Sequence, residues 1–490
     1  MSRFRAGATR TFSSLRIRNY RLYFLGQIVS LSGTWMQSVG QVWLVLKLTG
    51  SGVDLGLVVA LQFLPVLLGG SWGGVIADRV DKRKLLIVTQ TVSGLFALAL
   101  GVLTVTNVVT LWMVYGLALG LGCVTLVDMP ARQSFVMEMV GRKDLANAVS
   151  LNSVVVNAAR VVGPALAGLL IATVGIGICF LLNAVSYVAV VVALVRMRAA
   201  ELDRGAPIPR KKGQLREGFR YVWSKPDLRV PLLLMAVVGT IAYNFSVTFP
   251  LIVHRVFHGG AGVYGVLFAV MGTGAVAGGL VVAAKARATR ELLAAATVGF
   301  GLAMFAAAYM PSLPLEIAVM LPVGAMSTTF IATSNSLLQL SASREMRGRV
   351  MALFAITFLG STPIGGPFIG WFAQEFGPRS ALALGAGSTL AAGLLAANTL
   401  RRARRRAALG VSHEERAVEE LRVGQLSSAP DPSAGTAATG SAGRDLTGGR
   451  SDEHRRGRRR RAPARWFHAD REQRERRIDR DRAQHPSARR

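Results

Sequence analysis

The stretch "GGVIADRVDKRKLL", residues 73 to 86, lies between two long apolar segments and holds six charged residues among the seven from Asp78 to Lys84. A bilayer core about 30 Å thick is crossed by a helix of about 20 apolar residues, and both flanking segments reach that length. Lys and Arg accumulate in the cytoplasmic loops of membrane proteins. The stretch therefore predicts two membrane spans joined by a charged cytoplasmic loop.

The rest of the chain repeats this pattern. Of its 490 residues 51% are hydrophobic and the formal net charge is +30, a combination typical of a membrane protein and rare in a soluble domain. We therefore expect an all-α integral membrane protein with about twelve transmembrane helices. The expected spans lie near residues 22 to 46, 53 to 77, 85 to 107, 110 to 128, 148 to 172, 176 to 197, 231 to 253, 262 to 284, 291 to 310, 315 to 339, 349 to 372 and 379 to 400.

Basic residues alternate between the two sides of the expected bundle. They cluster in the loops after even-numbered spans, as at 79 to 84 and 210 to 220, whereas the intervening loops "TNVVT" (106 to 110) and "PSLP" (311 to 314) contain none. The positive-inside rule then places both termini in the cytoplasm, which agrees with an even number of spans.

Residues 198 to 228 interrupt the apolar pattern and are expected to form a cytoplasmic linker between two six-helix halves, residues 1 to 197 and 229 to 400. A shift of 205 residues aligns "GGVIADRVDKR" with "GGLVVAAKARA" at 278 to 288, and a shift of 203 residues aligns a second pair of segments. Two matches at nearly the same offset indicate that the halves are related by pseudo-symmetry.

Residues 401 to 490 contain no apolar span and include "RRGRRRRAPAR" at 455 to 465. Such a composition predicts a disordered, basic cytoplasmic tail. The tail could attract anionic lipids at the bilayer surface. No nucleic-acid partner is expected, because charge together with Trp466 and Phe467 would be its only support.

The opening stretch resembles the loop signature of the major facilitator superfamily, between the second and third spans. One position departs from that signature, since Asp81 stands where the superfamily usually has glycine. The matching positions are Gly74, Asp78, Arg79, Lys82 and Arg83.

Four longer segments resemble the transmembrane secretion effector, or enterobactin-exporter-like, branch of that superfamily. They are "IRNYRLYFLGQIVSLSGTWMQSVGQVWLVLKLTGS" (17 to 51), "DMPARQSFVMEMV" (128 to 140), "LANAVSLNSVVVNAARVVGPALAG" (145 to 168) and "MRGRVMALF" (346 to 354). The resemblance implies a monomeric secondary transporter of the cell inner membrane that exports a small molecule, drug-like or siderophore-like, by alternating access with protons as the coupling ion.

Asp78 is expected at the membrane edge, on the face where the eleventh span begins near Arg349. The N-terminal amides of a helix attract a carboxylate, with an energy of about 0.3 to 2 kcal/mol. The resemblance implies that Asp78 is a latch between the halves. The alternative is that this loop sets topology alone, which explains its bases but leaves Asp78 unexplained.

The fifth span holds a segment that resembles the antiporter motif of the superfamily, with Gly163, Pro164 and Gly168 as a gating hinge. The alternative is ordinary helix packing, since Gly and Pro are common in membrane helices. Arg160 lies near the middle of the same span, where a charge is costly, so it should face the bundle interior. Two roles are open: a structural partner for a buried acid or helix terminus, or a contact for an anionic substrate.

Proton-coupled exporters usually need a titratable carboxylate in the membrane. The candidates are Asp128, Glu316 and Asp54, which lies outside span two, although Asp128 could simply pair with Arg132 four residues later. His254 and His258 have a spacing seen in metal sites, but a third ligand is missing and no metal is expected. The candidate cavity residues are Gln27, Gln37, Gln41, Tyr243, Asn244 and Asn335.

The sequence has no Gly-rich phosphate loop ending in Lys-Ser/Thr, so ATP-driven transport by this chain is disfavoured. We expect no cofactor and no enzymatic activity. Proton-driven efflux is the leading hypothesis. The alternatives are a facilitator or importer of a small solute and a non-transporting membrane scaffold or sensor.

Overall fold

The computed structural model describes residues 13 to 203, 214 to 285, 288 to 343 and 345 to 427, which form helices and the turns between them. The helices are numbered here in chain order: α1 Arg18–Thr49, α2 Gly52–Arg79, α3 Lys82–Val105, α4 Leu111–Gly141, α5 Lys143–Thr173, α6 Ile176–Val195, α7 Gln214–Ser224, α8 Pro226–Val237, α9 Phe245–Arg255, α10 Ala261–Lys285, α11 Arg290–Ala308, α12 Leu313–Ser341, α13 Arg347–Leu359, α14 Thr362–Phe376 and α15 Pro378–Ser427.

Eleven stretches of helix in the described part of the chain are long and apolar enough to cross a membrane. The first expected span lies on α1, a helix of 32 residues that is outside these eleven. Gln27, Gln37 and Gln41 make α1 less apolar, and all three are buried against other helices. The expectation of an all-α multi-pass membrane protein is confirmed.

Helices α4 and α5 form one run of 63 residues that breaks at Gly141, whose φ is 66°. A non-glycine residue rarely adopts this left-handed backbone conformation, so glycine permits the reversal without a longer loop. The expected fourth span ended at residue 128, but α4 continues to Gly141. The charged residues Asp128 and Arg132 therefore lie within the helix rather than at its end.

Two helix pairs make the most extensive contacts between the N-half, α1 to α6, and the C-half, α8 to α15. Helix α2 packs against α14 and α5 packs against α10. A Cβ added at Gly56 would collide with the carbonyl of Gly366, and one added at Gly168 would lie 3.1 Å from the Cα of Gly262. Small residues allow the backbones of the two halves to touch at these points.

Part of the expected linker is helical, because α7 occupies Gln214–Ser224; residues 204 to 213 lie outside the described part. Helix α7 is attached to α13 by an ion pair of 2.6 Å between Glu217 Oε1 and Arg349 Nη1. The last helix, α15, runs to Ser427 and so includes the first residues of the tail, which the sequence analysis expects to lack structure. Residues 428 to 490 lie outside the described part.

Candidate functional site

Helices of alternating direction give the bundle two ends, which are named here by one residue each. The Asp81 end is where α2 ends and α3 begins, and the Gly50 end is where α1 ends and α2 begins. Asp128 and Arg160 lie near the middle of their helices, whereas Glu316 lies in the first turn of α12 at the Gly50 end.

The charged loop at the Asp81 end is tied to other helices of the N-half. The side chain of Asp81 accepts a hydrogen bond of 3.1 Å from the Lys84 amide and so caps α3. Lys82 Nζ lies 2.5 Å from Glu138 Oε1 on α4. Arg83 donates two hydrogen bonds of 2.7 Å to the last carbonyls of α6, where a cation also favours the helix dipole.

Asp78 lies in the last turn of α2 and is half-buried, while Arg79 is exposed. The helix expected to receive the latch, α13, begins at Arg347, and its Arg349 pairs with Glu217 of α7. Gly74 is buried. A neighbouring glycine that the sequence analysis did not single out, Gly73, makes the close backbone approach, because an added Cβ there would collide with the Leu126 carbonyl on α4.

A buried ion pair lies in the middle of the N-half. Asp128 Oδ2 accepts from Arg132 Nη2 at 2.5 Å and from Nε at 3.1 Å. Asp128 Oδ1 accepts from Thr89 Oγ1 at 2.6 Å and from Gln90 Nε2 at 2.8 Å, both on α3. Arg132 Nη1 also donates to Gln27 Oε1 on α1 at 2.6 Å. These bonds join α1, α3 and α4 into one polar network, named here the Asp128 network.

Two buried polar atoms near the Asp128 network have no hydrogen-bond partner among the described residues: the hydroxyl of Tyr23 and Oε1 of Gln90. The Tyr23 ring packs edge-on against Phe135, with ring centres 6.2 Å apart. Buried polar groups are normally hydrogen-bonded, so these two atoms are exceptions beside the network.

The glutamines of α1 are held by protein contacts. Gln37 Oε1 accepts from Asn183 Nδ2 on α6 at 2.6 Å, and Gln27 belongs to the Asp128 network. Gln41 is 5% exposed. The first two glutamines thus connect α1 to helices of its own half. Asn183 is a partner that sequence reasoning missed, because a contact between residues 146 positions apart leaves no periodic signal.

The first membrane-spanning segment of the C-half is interrupted at two of the candidate cavity residues. Val238–Ala242 is a π-helical turn, and α9 starts after Tyr243 and Asn244. Asn244 Nδ2 donates to the Thr240 carbonyl at 2.8 Å, but its Oδ1 is buried and has no partner among the described residues. The Tyr243 ring lies 5.5 Å from that of Phe358. Such π-turns are frequent at functional sites, and sequence periodicity does not reveal them.

Asn335 on α12 lies away from that break, and its Oδ1 accepts from Gln339 Nε2 of the same helix at 2.5 Å. Glu316 is fully buried, and neither carboxyl oxygen has a hydrogen-bond partner among the described residues. Asp128 and Glu316 belong to different halves, so the structure does not bring these two candidate proton sites together.

The antiporter-like segment of α5 packs on both neighbouring helices. A Cβ added at Gly163 would lie 2.5 Å from the Cβ of Trp35 on α1, and one at Gly265 of α10 would lie 2.5 Å from the Pro164 carbonyl. The guanidinium carbon of Arg160 lies 5.3 Å from the centre of the Trp35 ring. This segment therefore lies where α1, α5 and α10 meet.

Direct bonds close the Gly50 end between the halves. Arg255 Nη2 of α9 donates to the Gly50 carbonyl at 2.6 Å, and Ser51 Oγ lies 3.0 Å from Gln374 Oε1 of α14. Trp43 of α1 stacks on Tyr264 of α10, with ring centres 6.1 Å apart. These polar and aromatic contacts lie beside the close packing of α2 on α14, where Gly56 meets Gly366, and together they close this end.

Solved structures share this arrangement. A bacterial homologue of the human lysosomal transporter Spinster, in an inward-facing and unoccupied conformation, has a TM-score of 0.61 at 18% identity and covers 78% of this chain and 95% of that one. The nucleoside transporter NupG has a TM-score of 0.63 at 12% identity, and the match covers 79% of this chain and 99% of that one. This likeness shows that the chain has the same fold as these proteins.

The chain belongs to the transmembrane secretion effector family of the major facilitator superfamily, whose profile matches residues 9–422. Its relatives are transporters and not enzymes. The staphyloferrin A transporter of Staphylococcus aureus is 24% identical, over 73% of this chain and 90% of that protein. The multidrug efflux pump Tap of Mycolicibacterium fortuitum is 27% identical, over 70% of this chain and 86% of that protein. The enterobactin exporter EntS of Citrobacter koseri is 25% identical, over 77% of this chain and 90% of that protein.

Proposed function

We propose that this transporter exports a small drug-like or siderophore-like molecule from the cytoplasm by alternating access. The observation that carries the proposal is the closure at the Gly50 end, where Arg255 bonds Gly50 and Ser51 contacts Gln374 across the two halves. These contacts, and the packing of α2 on α14 beside them, join the two halves, so they can break while each half keeps its own helix packing, as rocking of two repeats requires. The names of the relatives Tap and EntS support the outward direction.

Protons are the proposed coupling ion, and the Asp128 network is their proposed site. Asp128 is a buried carboxylate within α4 whose charge is balanced by Arg132, and the nearby Tyr23 hydroxyl has no hydrogen-bond partner among the described residues. Intramembrane carboxylates with a partner of opposite charge commonly serve as proton relays. Protonation of Asp128 would leave Arg132 without its counter-charge and so change the contacts among α1, α3 and α4.

The proposed location is the cell inner membrane, with the Asp81 end and both termini in the cytoplasm. The support is the density of Lys and Arg at that end, including Lys82 and Arg83. In this orientation the closed Gly50 end faces outward. Asp78 is then proposed to act as a latch that holds the halves together when the cytoplasmic end closes, as a monomer in the bilayer.

Inverted membrane vesicles test this function. With a proton gradient imposed, vesicles that contain the protein should accumulate ethidium, enterobactin or staphyloferrin A, and an uncoupler should release them. Vesicles from cells that lack the protein are the control. Accumulation in right-side-out vesicles instead would indicate import. Equilibration of the probe without accumulation, unchanged by the uncoupler, would indicate a facilitator, and no flux of any probe would favour the scaffold.

A further inference from the structure

Arg160 stands in the middle of α5, at the meeting point of the two halves. Its guanidinium lies over the ring of Trp35 on α1, at 5.3 Å from guanidinium carbon to ring centre. Its backbone carbonyl faces α10, where a Cβ added at Gly272 would lie 3.1 Å away. Both Arg160 and Trp35 are half-buried. The residue therefore combines mid-membrane depth with partial access.

The charge of Arg160 is not neutralised by the described part of the protein. None of the ion pairs between described residues includes it, and its Nε is buried without a hydrogen-bond partner among them. Asn157, one turn earlier on α5, donates to the Ser153 carbonyl. Arg132, by contrast, binds both Asp128 and Gln27. The two arginines thus differ: Arg132 belongs to a hydrogen-bonded network, whereas Arg160 lies against an aromatic ring.

This difference decides between the two roles that the sequence leaves open for Arg160. A structural role requires a buried acid or a helix terminus as partner, and the described residues supply neither. A cation in the middle of a membrane helix is costly unless it has a partner. A bound anion would remove that cost whenever the site is occupied.

We propose that Arg160 is the anion-binding residue of the substrate site, and that the transported molecule carries a carboxylate or another planar oxyanion. The guanidinium offers a planar fork of N–H donors that matches a carboxylate in two parallel hydrogen bonds. Stacking on Trp35 fixes the plane of this fork before the ligand arrives. The proposal rests on the proposed function, because it names the substrate class of that same transporter.

Calorimetry on the purified full chain in lipid nanodiscs tests the site separately from transport. The probes are staphyloferrin A, enterobactin and carboxyfluorescein as anions, with ethidium as a cation. We expect wild-type protein to bind at least one anion, and Arg160→Gln to weaken that affinity about tenfold or more while leaving ethidium affinity unchanged. Arg160→Lys, which keeps the charge, should lose less. Arg220→Gln, an exposed cation on α7, is the matched control and should bind as wild type does.

Chemical protection on wild-type protein gives a second test that does not depend on folding of the variant. Phenylglyoxal should modify Arg160 in the empty protein, and the bound anion should reduce that modification at Arg160 but not at Arg220, as read by mass spectrometry. The proposal is overturned if wild type binds no anionic probe, if Arg160→Gln binds anions as wild type does, or if the anion leaves Arg160 unprotected. If anions bind in an Arg160-dependent way but the vesicles show no flux, the proposed transport function is contradicted. The proposed anion site is still supported in that case.

Discussion

Arg132 donates two hydrogen bonds to one carboxylate oxygen of Asp128, at 2.5 and 3.1 Å, from one turn further along the same helix. This pair is buried in the N-half and is extended to α3 and α1 by side chains of those helices. The i, i+4 spacing brings the two groups together on one helix face, and burial makes each charge depend on the other.

Replacement of one partner should be more harmful to stability than replacement of both. Asp128→Asn leaves the half-buried Arg132 without its counter-charge, which should lower the free energy of unfolding by about 1 to 3 kcal/mol. The double variant Asp128→Asn/Arg132→Gln should recover most of that loss but should not recover uncoupler-sensitive transport. Thermal unfolding in detergent measures the first effect and vesicle flux the second. A double variant with full proton-driven transport would refute the coupling role of Asp128.

Asp81 caps α3 through the Lys84 amide, and this contact gives a specific role to the residue that stands where the superfamily has glycine. Asp81→Ala should destabilise the protein by about 1 kcal/mol, whereas Asp81→Gly should cost only a few tenths, because glycine is itself tolerated at this position of a helix. Asp81→Asn keeps the acceptor and is the control. Melting temperatures of the four proteins check the order; equal losses for Ala and Gly would argue against capping.

Gly56 should be needed for closure of the Gly50 end, because a side chain there would collide with the Gly366 carbonyl. Gly56→Ala should shift the protein towards states that are open at this end and should slow transport. Gly70→Ala is the matched control on the same helix, since nothing lies within 4 Å of a Cβ added there. Spin labels at Asn107 and Tyr309, in a cysteine-free background, would report longer distances for Gly56→Ala. Identical distance distributions in the two variants would contradict this prediction.

Asp78→Asn should lower transport by about 2- to 30-fold at unchanged protein level, the range given by a carboxylate contact of about 0.3 to 2 kcal/mol with a helix N-terminus. The control is Glu201→Gln, an exposed carboxylate that pairs with Arg198. Flux in inverted vesicles, normalised to protein amount by immunoblot, is the measurement. Unchanged flux in Asp78→Asn would leave topology as the only role of this loop.

The charged loop illustrates how much could be predicted from the sequence. Its position between two spans follows from hydropathy, and the family resemblance follows from Gly74, Asp78 and the basic residues. Its individual contacts could not be predicted, because Lys82 pairs with Glu138 56 residues away and Arg83 caps a helix that ends more than 110 residues later. Of these contacts, only the cap that Asp81 provides could be predicted from the local sequence, because an acidic residue immediately before a helix is a typical N-cap.

The sequence by itself determined the membrane class, the all-helical fold, the approximate spans and the family, because each depends on local composition or on short motifs that hydropathy and charge define. The tertiary structure decided which polar residues meet. It placed Asp128 in a network with Arg132 and Gln27, left Arg160 on Trp35, and introduced the π-helical break before Asn244. The physical reason is that such contacts join helices whose residues are far apart in the chain, and they depend on how the helices pack rather than on the period of any one of them.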